Sequence, residues 1–255
     1  MTGGVVGFPG GAETTATKKA TAAELVGMGC AEIDMVNNIA WLKAGREAPY
    51  VDDVRAVVDA ADGRPVKVIL ECHWLTDDEI ALCGESGLHM IHCVESNMKL
   101  ASGLAPVEKL RKAGINIALG TDGAASNNDL DMFGEMRTAS LMAKAVGRSA
   151  QAMPAFETLK AATLNGAMAL GIDDRTGSIE SGKAADLVAV NLDHLATGPI
   201  YDPVSQLVYS AGRDQVSDVW IQGRQLLKDG RHTTLDVAAV KHQAAYWSAK
   251  IAAAD

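Results

Sequence analysis

Short apolar runs alternate with helix-spaced segments over the first half of the chain. The runs fall at residues 5–9, 31–36, 66–72, 88–94 and 115–120. Between them, residues 14–28, 51–61, 76–86 and 105–113 gather their apolar side chains on one helical face. Thr76-Asp77-Asp78-Glu79 has the form of a capping box, which predicts a helix start there. Strand, helix and strand at these intervals predict right-handed βαβ units and a parallel sheet.

Beyond Asp122 the texture changes. Residues 129–146 and 154–170 predict two longer helices, the second with Pro154 near its first turn, where a missing N–H costs nothing. Residues 185–193 and 216–227 are strand-like, with turns around Gly177, Gly182 and Gly230, and 235–254 predict a terminal amphipathic helix. The expected fold is α/β. A partial (β/α) TIM-barrel-like parallel sheet precedes a boundary near residue 176, and a small β-rich unit with a terminal helix follows it. A closed barrel of this kind needs eight parallel strands, and only five are found before that boundary. Such a sheet stays open, borrows strands from a second copy, or is covered by the C-terminal unit, because bare edges promote association. A homo-oligomer is the expectation.

Composition narrows the function classes. The hydrophobic share of 48% suits a globular core, and the low aromatic share of 4% suits helix-on-sheet packing by small and branched residues. A formal net charge of −9 argues against nucleic acid, whose phosphates require a basic face. No apolar run reaches the roughly 18 residues needed to cross a bilayer, and Met1-Thr2-Gly3-Gly4 has no basic or apolar signal character. Cys30, Cys72, Cys83 and Cys93 show no CxxC spacing, so reduced thiols in a cytoplasmic protein are expected.

In parallel α/β sheets, functional groups collect at the carboxyl ends of strands. Asp34, inside the run 31–36, is either a functional acid or half of a structural salt bridge, since a bare acid there costs several kcal/mol. Lys67, Ile69, Glu71 and His73 alternate on one face of a single strand. Glu71 and His73 would then hold a metal or exchange a proton, unless Lys67 and Glu71 form a buried ion pair. His92, late in its strand, is a site residue or a hydrogen-bonded structural histidine. Asp122 is the leading candidate: in Gly120-Thr121-Asp122-Gly123 a strand ends in an acid between glycines, leaving room for a metal or substrate. The bland alternative is a capping aspartate. Ser126, Asn127 and Asn128 supply polar contacts or cap the next helix.

Two resemblances follow from quoted segments. Val5-Val6-Gly7-Phe8-Pro9, Glu32-Ile33-Asp34-Met35-Val36 and Val66-Lys67-Val68-Ile69-Leu70-Glu71 resemble deoxyribose-phosphate aldolase. That resemblance implies a proton-relay role for Asp34 and a pocket-facing Lys67. His92-Cys93-Val94-Glu95-Ser96-Asn97, Gly120-Thr121-Asp122-Gly123-Ala124-Ala125-Ser126-Asn127-Asn128 and Gly177-Ser178-Ile179-Glu180-Ser181-Gly182-Lys183 resemble the amidohydrolase-superfamily deaminases of 5′-methylthioadenosine and S-adenosylhomocysteine. This second resemblance implies a small nucleoside substrate, a Zn²⁺ cofactor, and Asp122 as a metal-ligating aspartate of the last barrel strand. Together they predict segments 1–73, 74–176 and 177–255.

The deaminases open their barrel with a His-x-His pair, which this sequence lacks, and Glu71 stands where they carry a catalytic histidine. The aldolase's Schiff-base lysine is absent too. Asp122 with His92, Glu71 and His73 would be an incomplete or rebuilt metal site, so the expected deaminase is catalytically impaired. An aldolase-like lyase and a non-catalytic chimeric scaffold are the alternatives.

Overall fold

A computed structural model describes residues 2–253. Met1 and Ala254, the last residue of the predicted terminal helix, lie outside them. The chain divides into two compact units between Trp74 and Leu75.

In the first unit, β1 (Gly3–Val6), α1 (Thr15–Gly27), β2 (Glu32–Val36), α2 (Ile39–Lys43), α3 (Glu47–Ala60) and β3 (Val66–Ile69) follow in order, ending in a 3₁₀ turn at Cys72–Trp74. The strands form a parallel sheet in the order β1-β2-β3, with Val5 beside Asp34 and Asp34 beside Lys67. Alternation along β2 turns Ile33 and Met35 inward, where they join Val6, Ala22, Cys30, Val57 and Ala61 in the core. The opposite face carries Glu32, Asp34 and Lys67.

One ion pair is sealed inside this unit. Lys18 of α1 reaches Asp53 of α3 at 2.6 Å with neither side chain exposed. Its Nζ also donates to the Val36 carbonyl, and Thr15 donates to the second Asp53 oxygen. Every charge in this group therefore has partners, as burial demands. Gly11 is required by geometry: its φ is +64° and a Cβ there would lie 1.8 Å from the Asn37 carbonyl oxygen.

The strand expected at 66–72 ends early. Glu71 has φ +54°, a left-handed conformation that breaks the extended backbone. The predicted alternation of Lys67, Ile69, Glu71 and His73 therefore stops at Ile69, and the weighed Lys67–Glu71 ion pair is replaced by contacts of Lys67 with Asp34 and Glu32.

In the second unit, α4 (Asp77–Glu85), β4 (His89–His92), α5 (Val94–Lys99), α6 (Val107–Lys112), β5 (Asn116–Leu119), α7 (Met132–Gly147), α8 (Ala155–Ala161) and α9 (Leu164–Ala169) come first. Then follow β6 (Leu187–Val190), α10 (Pro203–Tyr209), β7 (Val216–Ile221), β8 (Arg224–Lys228), β9 (Arg231–His232) and α11 (Val237–Ala252). The predicted capping box is present in full: Glu79 N–H donates to the Thr76 hydroxyl and Thr76 N–H to the Glu79 carboxylate.

β4 and β5 pair in parallel, with His92 beside Leu119, and α6, α8 and α9 pack against β5. Met90, Ile117, Ala118, Leu110 and Met136 are buried in this region. β6 to β9 form an antiparallel sheet in sequence order. The fold is thus mixed α/β with parallel sheets, and the five early strands belong to one three-stranded and one two-stranded sheet. The predicted helix at 154–170 is two helices, because Thr163 at φ −133°, ψ −95° breaks the helical backbone. α10, opened by Asp202 as cap and Pro203 at its start, was not anticipated.

Candidate functional site

Asp122 follows β5 by three residues, past Gly120, whose N–H donates to the His92 carbonyl at 3.2 Å and extends the β4–β5 ladder. Its own φ is +62°, a strained conformation for a residue with a Cβ. Two hydroxyls hold its Oδ2: Ser96 of α5 donates at 2.7 Å and Ser126 at 2.8 Å. Partial burial works to raise the Asp122 pKa, but these two hydroxyls and the Gly123 N–H outweigh it. The carboxyl is held below the ordinary carboxylate range and stays ionised.

The loop carrying Asp122 is anchored from two helices. Lys99 of α5 donates to the Ala125 carbonyl at 2.9 Å and to the Asn128 side chain at 2.7 Å. Asn127 donates to Oε1 of Glu135 on α7 at 2.7 Å. The other Glu135 oxygen accepts from the backbone of Val94 at 3.1 Å, where α5 begins. Glu135 thereby ties the Asp122 loop to the helix that supplies Ser96.

Glu135 is fully buried. Burial, with the neighbouring Glu95 carboxylate, pushes its pKa up to about 7 against the bonds from Glu95, Val94 and Asn127. Sequence reasoning missed this residue. The signal was an acid inside the buried stripe of α7, beside Met136, Ala139, Ser140 and Ala143.

Beside it, Cys93 is kept a thiol. Burial and the carboxylates of Asp122 and Glu135 push its pKa up to about 11. His92 points inward from β4, is 4% exposed, and its Nδ1 has no hydrogen-bond partner. Burial pushes its pKa down to about 4, so the ring is neutral at physiological pH.

The other sequence candidates lie in the first unit. Asp34 and Glu32 both reach Lys67, at 2.9 and 3.0 Å, on the half-open face of the three-stranded sheet. Burial works to lower the Lys67 pKa, but the two carboxylates outweigh it and hold the ammonium above its ordinary range. Glu71 and His73, beyond the end of β3, face each other at 3.7 Å with the His73 ring against Trp74.

A catalytic zinc normally takes three protein donors and keeps one position open. Among the described residues, no group of three or more His, Cys, Asp or Glu side chains is placed to hold a metal ion. Asp122 instead turns its Oδ2 to hydroxyl donors. The residues present do not fit a catalytic zinc.

The Amidohydrolase family model matches residues 32–226. The chain is 48% identical over 176 residues to a 5-methylthioadenosine/S-adenosylhomocysteine deaminase of Teredinibacter turnerae, covering 69% of this chain and 40% of that protein. It is 43% identical over 212 residues to a 5′-deoxyadenosine deaminase of Methanosarcina barkeri, covering 83% of this chain and 49% of that one. A crystal structure of a zinc-bound adenosine deaminase from Xanthomonas campestris superposes with a TM-score of 0.77 at 42% identity, over 94% of this chain and 56% of that one. The chain thus spans about half the length, or less, of the relatives it matches.

The aldolase resemblance finds no support in these matches, since the family model already begins at residue 32, within the segment that carried it. With its matched residues spanning both β2–β3 of the first unit and β4–β8 of the second, the chain belongs to the amidohydrolase family.

Proposed function

We propose that this chain carries the aspartate-bearing part of an adenine-nucleoside deaminase site, of the class acting on 5′-methylthioadenosine, S-adenosylhomocysteine or 5′-deoxyadenosine. The supporting observation is Asp122: an ionised, partly exposed carboxylate at the mouth of β5, oriented by Ser96 and Ser126. Such a group accepts a proton from an attacking water and returns it to a leaving amine. The relatives' names supply the substrate class. In this reading each parallel sheet is a partial (β/α)-barrel-like sheet, and the reduced thiols of Cys30, Cys83 and Cys93 suit a reducing cytoplasm.

The same reading holds that the chain by itself is catalytically impaired. The donors among the described residues do not fit the cation that the family resemblance implies. The aldolase alternative is disfavoured by Lys67, whose ammonium is stabilised by two carboxylates where an imine-forming lysine needs the free amine.

Equilibrium dialysis with 5′-methylthioadenosine, run beside an ammonia-release assay with added zinc, tests both parts. The expected result is nucleoside binding weakened at least tenfold by Asp122→Ala, with no ammonia release. Equal binding by the variant would remove Asp122 from the site. Ammonia release with stoichiometric zinc would overturn the impairment.

A further inference from the structure

Glu135 sits in the buried stripe of α7 with Met136, Ala139, Ser140 and Ala143, where a carboxylate is costly unless its lone pairs are met. Among the described residues its hydrogen-bond donors are three uncharged N–H groups. Oε2 accepts from Val94 at 3.1 Å and, at the limit of bonding, from Glu95 at 3.5 Å. Oε1 accepts from the Asn127 amide at 2.7 Å. Burial outweighs these bonds and pushes the Glu135 pKa up to about 7, so ionisation weakens the fold. A glutamine of the same shape would escape that cost. It offers one acceptor atom, however, and would turn its own NH₂ against a donor at the other end. Of the two, only the carboxylate accepts at both ends.

Those ends lead to the two hydroxyls that hold Asp122. Val94 and Glu95 open α5 immediately before Ser96, and Asn127 immediately follows Ser126. Ser96 and Ser126 both donate to Asp122 Oδ2. One turn along α7, Thr138 donates to Glu95 Oε1 at 2.7 Å. Gly134 permits this approach of the helices, since a Cβ there would lie 3.2 Å from that same oxygen.

We propose that Glu135 is a positioning residue for Asp122, a double acceptor that sets the spacing of the Ser96 and Ser126 hydroxyls and so the aim of the carboxylate they hold. The proposal deepens, and rests on, the reading of Asp122 as a site carboxylate. A cap that served the stability of α5 alone would need only the Val94 end. The bond to Asn127 brings in the loop.

Carbon NMR of the Asp122 side-chain carboxyl at pH 8, above the folded pKa of Glu135, tests this beside equilibrium dialysis of the full chain with 5′-methylthioadenosine. Glu135→Gln should shift the Asp122 signal and weaken nucleoside binding several-fold. Asn127→Ala, which cuts the loop end alone, should do the same in smaller measure. Glu135→Gln combined with Ser96→Ala should weaken binding by less than the two separate losses together, because both act on one carboxylate. Glu135→Gln with Asn127→Asp reverses donor and acceptor across the bridge and should restore signal and affinity. Ser140→Ala removes bonds to Met153 and Tyr209 from the same helix, and should lower stability while leaving the Asp122 signal in place. An Asp122 signal unmoved by Glu135→Gln, or moved as far by Ser140→Ala, would overturn the proposal. Equal nucleoside binding by Asp122→Ala, with the signal still moved by Glu135→Gln, would overturn the functional reading and reduce Glu135 to a structural tie.

Discussion

The Ser96 hydroxyl donates to Asp122 at 2.7 Å, joining the helix after β4 to the acid after β5. This bond spans 26 residues of sequence and fixes the orientation of a carboxylate whose backbone is in a left-handed conformation. Ser96→Ala should therefore raise the Asp122 pKa toward its ordinary value, read by carbon NMR of the side-chain carboxyl. The stabilisation concerned is present above the ordinary carboxylate pKa and is lost as pH falls through the lowered folded value. For a partly exposed group about 1 kcal/mol is at stake. An unmoved titration would mean that Ser96 is a bystander.

Glu135 behaves in the opposite sense. Its folded pKa of about 7 lies above the ordinary 4.5, so its contribution is fully present below pH 4.5 and is lost as pH rises through 7. The difference amounts to about 3 kcal/mol. Glu135→Gln should remove that contribution, so that the urea midpoint of the variant relative to wild type rises between pH 5 and pH 8. Unchanged pH dependence in the variant would show that Glu135 is ionised throughout.

His92 supplies a counter-slope. Its folded pKa of about 4 lies below the ordinary 6.5, so its stabilisation is complete above pH 6.5 and fades as pH falls through 4. Again about 3 kcal/mol is involved. Between pH 4.5 and 6.5 the two groups oppose one another, and their joint effect on wild-type stability is small. Glu135→Gln should unmask a rise with pH over that window and His92→Leu a fall. A variant pair with parallel profiles would refute this cancellation.

The Lys18–Asp53 pair should respond asymmetrically. Lys18→Met alone leaves Asp53 charged and sealed from water, at a cost of about 3–5 kcal/mol. Lys18→Met combined with Asp53→Leu should recover most of that loss, since neither charge then has to be desolvated. Denaturation monitored in the first unit distinguishes these outcomes, and a double variant as unstable as the single would show that the hydrogen bonds, not the charges, dominate.

Much of the chain was legible from local pattern. Thr76 and Glu79 announced the start of α4 because a capping box is satisfied within four residues of sequence. The runs around Ile33, Met90 and Ile117 became strands because apolar residues in short stretches have few other places to go. Asp122 stood out by its flanking glycines.

The tertiary structure alone decided the rest. It ended β3 at Ile69, since the left-handed turn at Glu71 leaves no mark in a hydrophobic run. It paired Lys67 with Asp34 and Glu32 in place of Glu71, because strand register sets neighbours that residue spacing does not reveal. It also made Glu135 an anchor and left His92 neutral with its Nδ1 unpartnered, as both depend on burial by distant segments. Periodicity and end signals are local properties that sequence carries directly. Burial, register and the meeting of Ser96 with Asp122 arise only once the chain has folded back on itself.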